Sequence, residues 1–184
     1  METYDHDFLE GIDSLKDIIG LHISEARERY FFDTENNLHI YHVYIKLESN
    51  LILFLPFTSP DLTIKFQSHN SLAKDFENSN YLSTDRKKII EDHQIKDFHF
   101  FCTGIKTPRL DENREAGFME LSNGYYITIK DNWVKATDNS EKPDLIILNN
   151  KEFESMAKRE NMKSLLKDIL KNGEIEYDED GVVI

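Results

Sequence analysis

From Leu38 to Leu47 apolar and polar positions alternate. Tyr41, Val43, Ile45 and Leu47 fall on one side of an extended chain, and His42, Tyr44 and Lys46 on the other. Successive strand side chains point to opposite faces, so this pattern predicts a strand with one face on a core. Leu51–Phe57, LILFLPF, is apolar throughout, which predicts a strand covered on both faces and stopped by Pro56 and Pro60. Leu62–Phe66 predicts a further strand. Ahead of these, Phe8, Ile12, Leu15 and Ile19 keep helical spacing; Asp7 serves as cap and Gly20 as stop. Ser68–Ser83 is polar, rich in Ser and Asn, and reads as a connection.

The second half follows the same order. A short helix is predicted over Thr84–His93, a strand over Ile95–Cys102 and a long polar loop over Thr103–Ala116. Gly117–Leu121 and Tyr125–Lys130 form a hairpin around Ser122-Asn123-Gly124, because Asn-Gly tolerates the positive φ of a tight turn. KLESN at residues 46–50 and ELSNG at residues 120–124 are nearly the same turn between similar runs. This predicts an internal duplication of a β-rich unit, about residues 1–67 and 84–150, the alternative being that two hairpin-built meanders simply look alike. Asp131–Lys142 is a second polar loop, and Asp144–Leu148 a buried strand. Asn149 and Glu152 fit a capping box that opens a helix through Lys158. Met162, Leu165, Leu166 and Ile169 form a second apolar stripe on another face, so a break is expected near Arg159–Asn161.

The expected fold is therefore α+β: antiparallel sheet from two similar β-meander units, with N-terminal, middle and C-terminal helices. The 184 residues are read as a single compact domain, with a helical segment at 149–172 and an acidic tail at 173–184.

Composition narrows the function classes. Lys plus Arg number 22 against 35 Asp plus Glu, a net charge of −13, which repels phosphate backbones and disfavours nucleic-acid binding. The longest apolar run, Leu51–Phe57, falls far short of the roughly 20 residues that cross a membrane. The acidic start, METYDHDFLEGIDS, has no apolar signal core, and Cys102 is the single cysteine, so a cytoplasmic protein without disulfides is expected.

Candidate chemistry is sparse. His39 and His42, like His99 and Cys102, lie three apart in strands and point to opposite faces, so neither pair is expected to chelate an ion. Glu176, Asp178, Asp180 and Gly181 are spaced like the opening of a calcium loop, but no closing Glu follows, and a solvated acidic turn is expected. No Gly-rich phosphate loop, nucleophile elbow or Cys-x-x-Cys is present. No cofactor or metal is expected. Trp133, in the polar run DNWVKATDNSEKPD, suits either a cap over the core or an interface anchor.

In general character, and on no specific motif, the chain resembles the small acidic immunity and antitoxin-like proteins of bacteria. That resemblance implies a non-catalytic protein that occludes a basic partner, for example a nuclease toxin. The residues expected to meet such a partner are Asp111, Glu112 and Glu115 in the first long loop and Asp131, Trp133 and Asp138 in the second. The alternatives are a hydrolase-type enzyme whose His and carboxylate groups meet only in the fold, or a structural or regulatory subunit of a larger assembly.

Overall fold

The computed structural model describes residues 15–58, 63–67, 71–102, 114–130, 133–135, 142–160 and 162–170. Residues 7–14 of the helix expected over 7–19, residues 103–113 of the loop expected over Thr103–Ala116, and the tail from residue 171 lie outside them. The fold is α+β with two antiparallel sheets and few helices.

The first sheet contains β1 (Ile23–Asp33), β2 (Leu38–Leu47), β3 (Ile52–Thr58), β4 (Thr63–Gln67) and β5 (Asn80–Tyr81), in the order β4-β3-β2-β1-β5. The second contains β6 (Ile95–Cys102), β7 (Arg114–Leu121), β8 (Tyr125–Lys130), β10 (Asp144–Asn149) and β11 (Met162–Ser164), in the order β10-β8-β7-β6-β11. Between β8 and β10 the chain crosses to the first sheet as β9 (Trp133–Lys135), which pairs with the start of β2.

The inner faces of the two sheets share one core. Ala26, Tyr41, Val43, Ile45, Leu47, Leu53 and Leu55 come from the first sheet; Ile95, Phe98, Met119, Leu121, Ile127, Ile129 and Leu145 come from the second. The alternation read from Leu38–Leu47 is thus an inward row of four side chains without solvent contact. Leu51–Phe57 is apolar on both sides for a visible reason. Leu53 and Leu55 enter the core, while Ile52 and Phe54 pack outward with Tyr44 and Phe76. β3 continues past Pro56 to Thr58, contrary to the expected stop. Its register with β4 is irregular between Phe54 and Thr58, where a missing N–H is tolerated.

Each outer face is covered by a helix. Helix α1 (Ser71–Glu77) lies within the polar stretch read as a bare connection. Phe76 carries apolar contact with the sheet, and Arg27 donates to the carbonyls of Phe76 (3.1 Å) and Glu77 (3.3 Å) at the helix C-terminus. Helix α2 (Thr84–Ile90) leads into β6. Helix α3 (Asn150–Arg159) covers the second sheet. Its capping box is formed: the Glu152 N–H donates to Asn149 Oδ1 (3.0 Å), and the Asn149 N–H donates to Glu152 Oε2 (2.8 Å). Phe153 stacks on Tyr126 at 3.7 Å between centroids and meets Phe118 edge-on.

The second apolar stripe does not form one helix. Met162–Ser164 pairs with β6, and a π-helical turn follows over Leu165–Leu170. The stripe therefore serves two places, with Leu165 in the central core and Met162 beside Phe153.

The sheets are pinned together where β1 and β6 begin. Gly20 N–H donates to Ile95 O (2.7 Å), Ile95 N–H to Leu21 O (3.0 Å), Ile23 N–H to His93 O (2.9 Å) and Asp92 N–H to Ile23 O (2.8 Å). Gly20 and Asp92 both have positive φ, 91° and 64°, and turn the chain from a helical segment into its strand. Directly after the pin, the β1–β2 register shifts between Ile23 and Glu25, and the β6–β7 register shifts between Ile95 and Asp97.

Val43 has no solvent contact and packs among the apolar side chains of the core. Val43→Asp is expected to cost on the order of 3 kcal/mol or more, read as a lower denaturation midpoint. A parent-like midpoint would show that the inward row is misassigned.

Candidate functional site

Among the described residues, two places stand out as candidate sites. The first is at one end of the sandwich, where the β1–β2 ribbon continues its inner face beyond the apolar core. Tyr41 Oη donates to Glu28 Oε2 (2.8 Å), and Arg86 from α2 donates to the same oxygen (3.3 Å). Arg86 also donates to both oxygens of Asp144 on β10 (2.9 and 3.0 Å), and Tyr30 Oη donates to Pro143 O (3.2 Å). Burial works against the Arg86 charge, but Asp144 and Glu28 outweigh it and hold the guanidinium pKa above its ordinary value. Burial also pushes the Tyr30 hydroxyl up to about 12, helped by Asp144 and Glu28, and Tyr41 is raised by burial and by Glu28. These hydroxyls stay protonated and act as donors, not as bases.

Above this network the aromatic side chains come to the surface. Tyr30, Phe31 and Phe32 are 48%, 37% and 45% exposed, and with His39, Lys142 and Pro143 they line a recess of about 390 Å³. Phe32 packs on His39 and Phe31 on His42, each at 5.0 Å between ring centroids, so the rings are held in place. The backbone of Trp133 is brought beside this ribbon, opposite Ile40, and that of Val134 opposite His39.

The second place is on the outer face of the second sheet. The register shift after Ile95 sets Asp97 opposite Glu120, with His99 two residues further along the same face. His99 Nε2 lies 2.7 Å from Glu120 Oε2 and 3.9 Å from Asp97 Oδ2, and all three side chains are nearly buried. Asp97 Oδ1 accepts from the N–H groups of Phe98 (2.8 Å) and Leu166 (3.1 Å), and Oδ2 accepts from Ser164 Oγ (2.5 Å). Glu120 Oε1 accepts from Lys96 Nζ (2.5 Å). Phe153 and Tyr126 wall the imidazole at 4.8 and 5.4 Å. Burial raises the Glu120 pKa, but the hydrogen bonds from His99 and Lys96 outweigh it and hold the carboxyl below its ordinary value of 4.5.

The residues proposed from sequence fare unevenly. Asp111, Glu112, Asp131 and Asp138 lie outside the described residues. Glu115 belongs to β7, paired with Phe101, and Trp133 to β9; only their backbone positions are described. Sequence spacing sets His99 against Cys102 and passes over Asp97 and Glu120. The alternation of Asp97 with His99 is visible within the run IKDFHFFC, but the partner strand and its register are not. Tyr30–Phe32 carry no local sign of a surface role, since consecutive aromatics look like core.

Scans of protein families, of curated proteins and of solved structures return no match to this chain.

A carboxyl with a depressed folded-state pKa stabilises the fold above its unfolded pKa, and this is lost as pH falls through the folded value. The stability gap between wild type and Glu120→Gln at neutral pH should therefore narrow as pH falls below the ordinary carboxyl value of 4.5, measured by urea denaturation. A constant gap over that fall would contradict an ionised Glu120.

Proposed function

We propose that this chain is a non-catalytic binding protein that docks a basic partner protein on its aromatic ribbon and occludes it. The observation that carries the reading is the consecutive exposure of Tyr30, Phe31 and Phe32 around a recess, in a chain of net charge −13. Rigid aromatic side chains provide large contact area at low entropic cost and are favoured as interface anchors. The overall negative field accelerates encounter with a cationic surface and rejects nucleic acid. Asp111, Glu112, Glu115, Asp131 and Asp138 supply part of that field in this reading, and Trp133 adds a further anchor beside the ribbon. A toxin held in the cytoplasm is the type of partner that fits. No helix among the described residues is long and apolar enough to cross a membrane.

A second reading, a hydrolase-type enzyme, draws on Asp97, His99 and Glu120. General acid–base work requires that substrate reach these groups. Their side chains are 10%, 13% and 8% exposed, which favours the binding reading over the catalytic one.

We also infer that the two halves descend from one duplicated unit. Support comes from the strand orders β4-β3-β2-β1-β5 and β10-β8-β7-β6-β11, each with a helix before its last strand. The pinning bonds support it further, because they relate Gly20 to Asp92, Leu21 to His93 and Ile23 to Ile95 at a constant spacing of 72 residues. The KLESN and ELSNG turns correspond as well. Asn50 N–H donates to Leu47 O and Gly124 N–H to Leu121 O, and both donors have positive φ.

The binding reading is tested by capturing basic proteins from the native cell and measuring association kinetics. Phe31→Ser with Phe32→Ser should speed dissociation about tenfold or more while leaving the melting temperature nearly unchanged. Association should slow as salt rises, because steering acts over a Debye length of about 8 Å at physiological ionic strength. A partner indifferent to both the double substitution and salt would overturn the proposal.

A further inference from the structure

We propose that Asp97, His99 and Glu120 form a binding site for one divalent transition-metal ion of the zinc, cobalt(II) or manganese(II) type. The inference is independent of the partner-binding reading. One donor atom from each of the three residues lies within 4.8 Å of the other two, and His99 Nε2 stands 3.9 Å from Asp97 Oδ2 and 2.7 Å from Glu120 Oε2. One imidazole nitrogen and two carboxylate oxygens are a donor set that suits such ions.

Charge balance is the first argument, and the other sheet supplies the comparison. At the corresponding place after the β1 register shift, Glu25 accepts from Arg27 Nε at 2.7 Å. The Arg27 guanidinium sits 4.5 Å over the Phe76 ring, and the Lys46 ammonium lies 5.8 Å from the same ring. The carboxylate of Glu25 there has a permanent cation, Arg27, as its direct partner. After the β6 shift there are two nearly buried carboxylates, a histidine in place of the arginine, and one ammonium on Lys96, whose side chain is 62% exposed. Paired buried carboxylates are costly without a compensating cation. A divalent ion supplies what the arginine supplies in the first sheet.

Orientation is the second argument. Metal-binding carboxylates and imidazoles are held by outer hydrogen bonds, which fix their geometry. Asp97 Oδ1 is held by two backbone N–H groups and Asp97 Oδ2 by Ser164 Oγ, while Oδ2 and Glu120 Oε2 both face His99 Nε2. The apolar wall of Phe153 and Tyr126 fixes the imidazole plane. Bonds of about 2.0–2.2 Å in tetrahedral geometry set donors roughly 3.3 Å apart. The present 2.7 and 3.9 Å therefore each need an adjustment of about half an ångström. On binding, neutral His99 ligates through Nε2, and the proton shared with Glu120 Oε2 moves to Nδ1 or is released to solvent.

The test is titration of chelator-treated full-length protein with cobalt(II), followed by its visible absorption, with zinc competition for affinity. One ion per chain is expected. His99→Gln and Glu120→Gln should weaken binding about tenfold or more, with folding checked by circular dichroism. Lys96→Met removes an exposed ammonium that competes for Glu120, so it should keep the fold and bind cobalt(II) about threefold more tightly or better. Absence of saturable binding to wild type would overturn the proposal. So would undiminished binding by folded His99→Gln, or weaker binding by Lys96→Met.

Discussion

The rest of the structure depends on the antiparallel crossing of Gly20–Ile23 with Asp92–Ile95. Four main-chain hydrogen bonds between 2.7 and 3.0 Å tie together the starts of the two first strands. The crossing fixes where each sheet begins relative to the other, and therefore which side chains of β1–β3 meet those of β6–β8 in the shared core. It also explains why a non-glycine residue, Asp92, holds a left-handed backbone that costs about 1–2 kcal/mol. The chain must leave α2 and enter β6 within a few residues, as Gly20 allows at the other entry.

Just beyond the crossing, one irregularity in each sheet produces the chemistry. The extra residue at Ser24 and at Lys96 restarts the inside–outside alternation one step out of phase. Ile23 and Ile95 stay in the core, while Glu25 and Arg27, or Asp97 and His99, turn outward beneath a helix. The same backbone device thus yields a permanent ion pair that caps α1 in one sheet, and a histidine between two carboxylates in the other. At the opposite end of β1 the alternation outlasts the core, so Tyr30 and Phe32 emerge as surface aromatics, anchored below by Arg86 and Asp144.

Legibility in the sequence depends on the range of the interactions. The inward row Tyr41–Leu47, the doubly covered LILFLPF run, the Ser122–Gly124 turn and the Asn149–Glu152 box are set by neighbours within a few residues, and each is readable. Helix α1 is not, because Leu72 and Phe76 give only one helical repeat within a run rich in Ser and Asn. β9 is not, because three residues acquire meaning only from the distant edge of β2. The Met162–Ile169 stripe misleads because its members serve different clusters, a choice made by the β6 edge and not by helical spacing. The Asp97–His99–Glu120 cluster needs both the β6–β7 pairing and the shift after Ile95, and neither leaves a local mark.

The central claim is that the two sheets are one cooperative unit joined at this crossing. Native-state hydrogen exchange at the amides of Gly20, Ile23, Asp92 and Ile95 tests it most directly. The account predicts that all four exchange only through global unfolding, with the same free energy as the core amides of Val43 and Ile127. Exchange of these four by local opening, well below the global free energy, would contradict it.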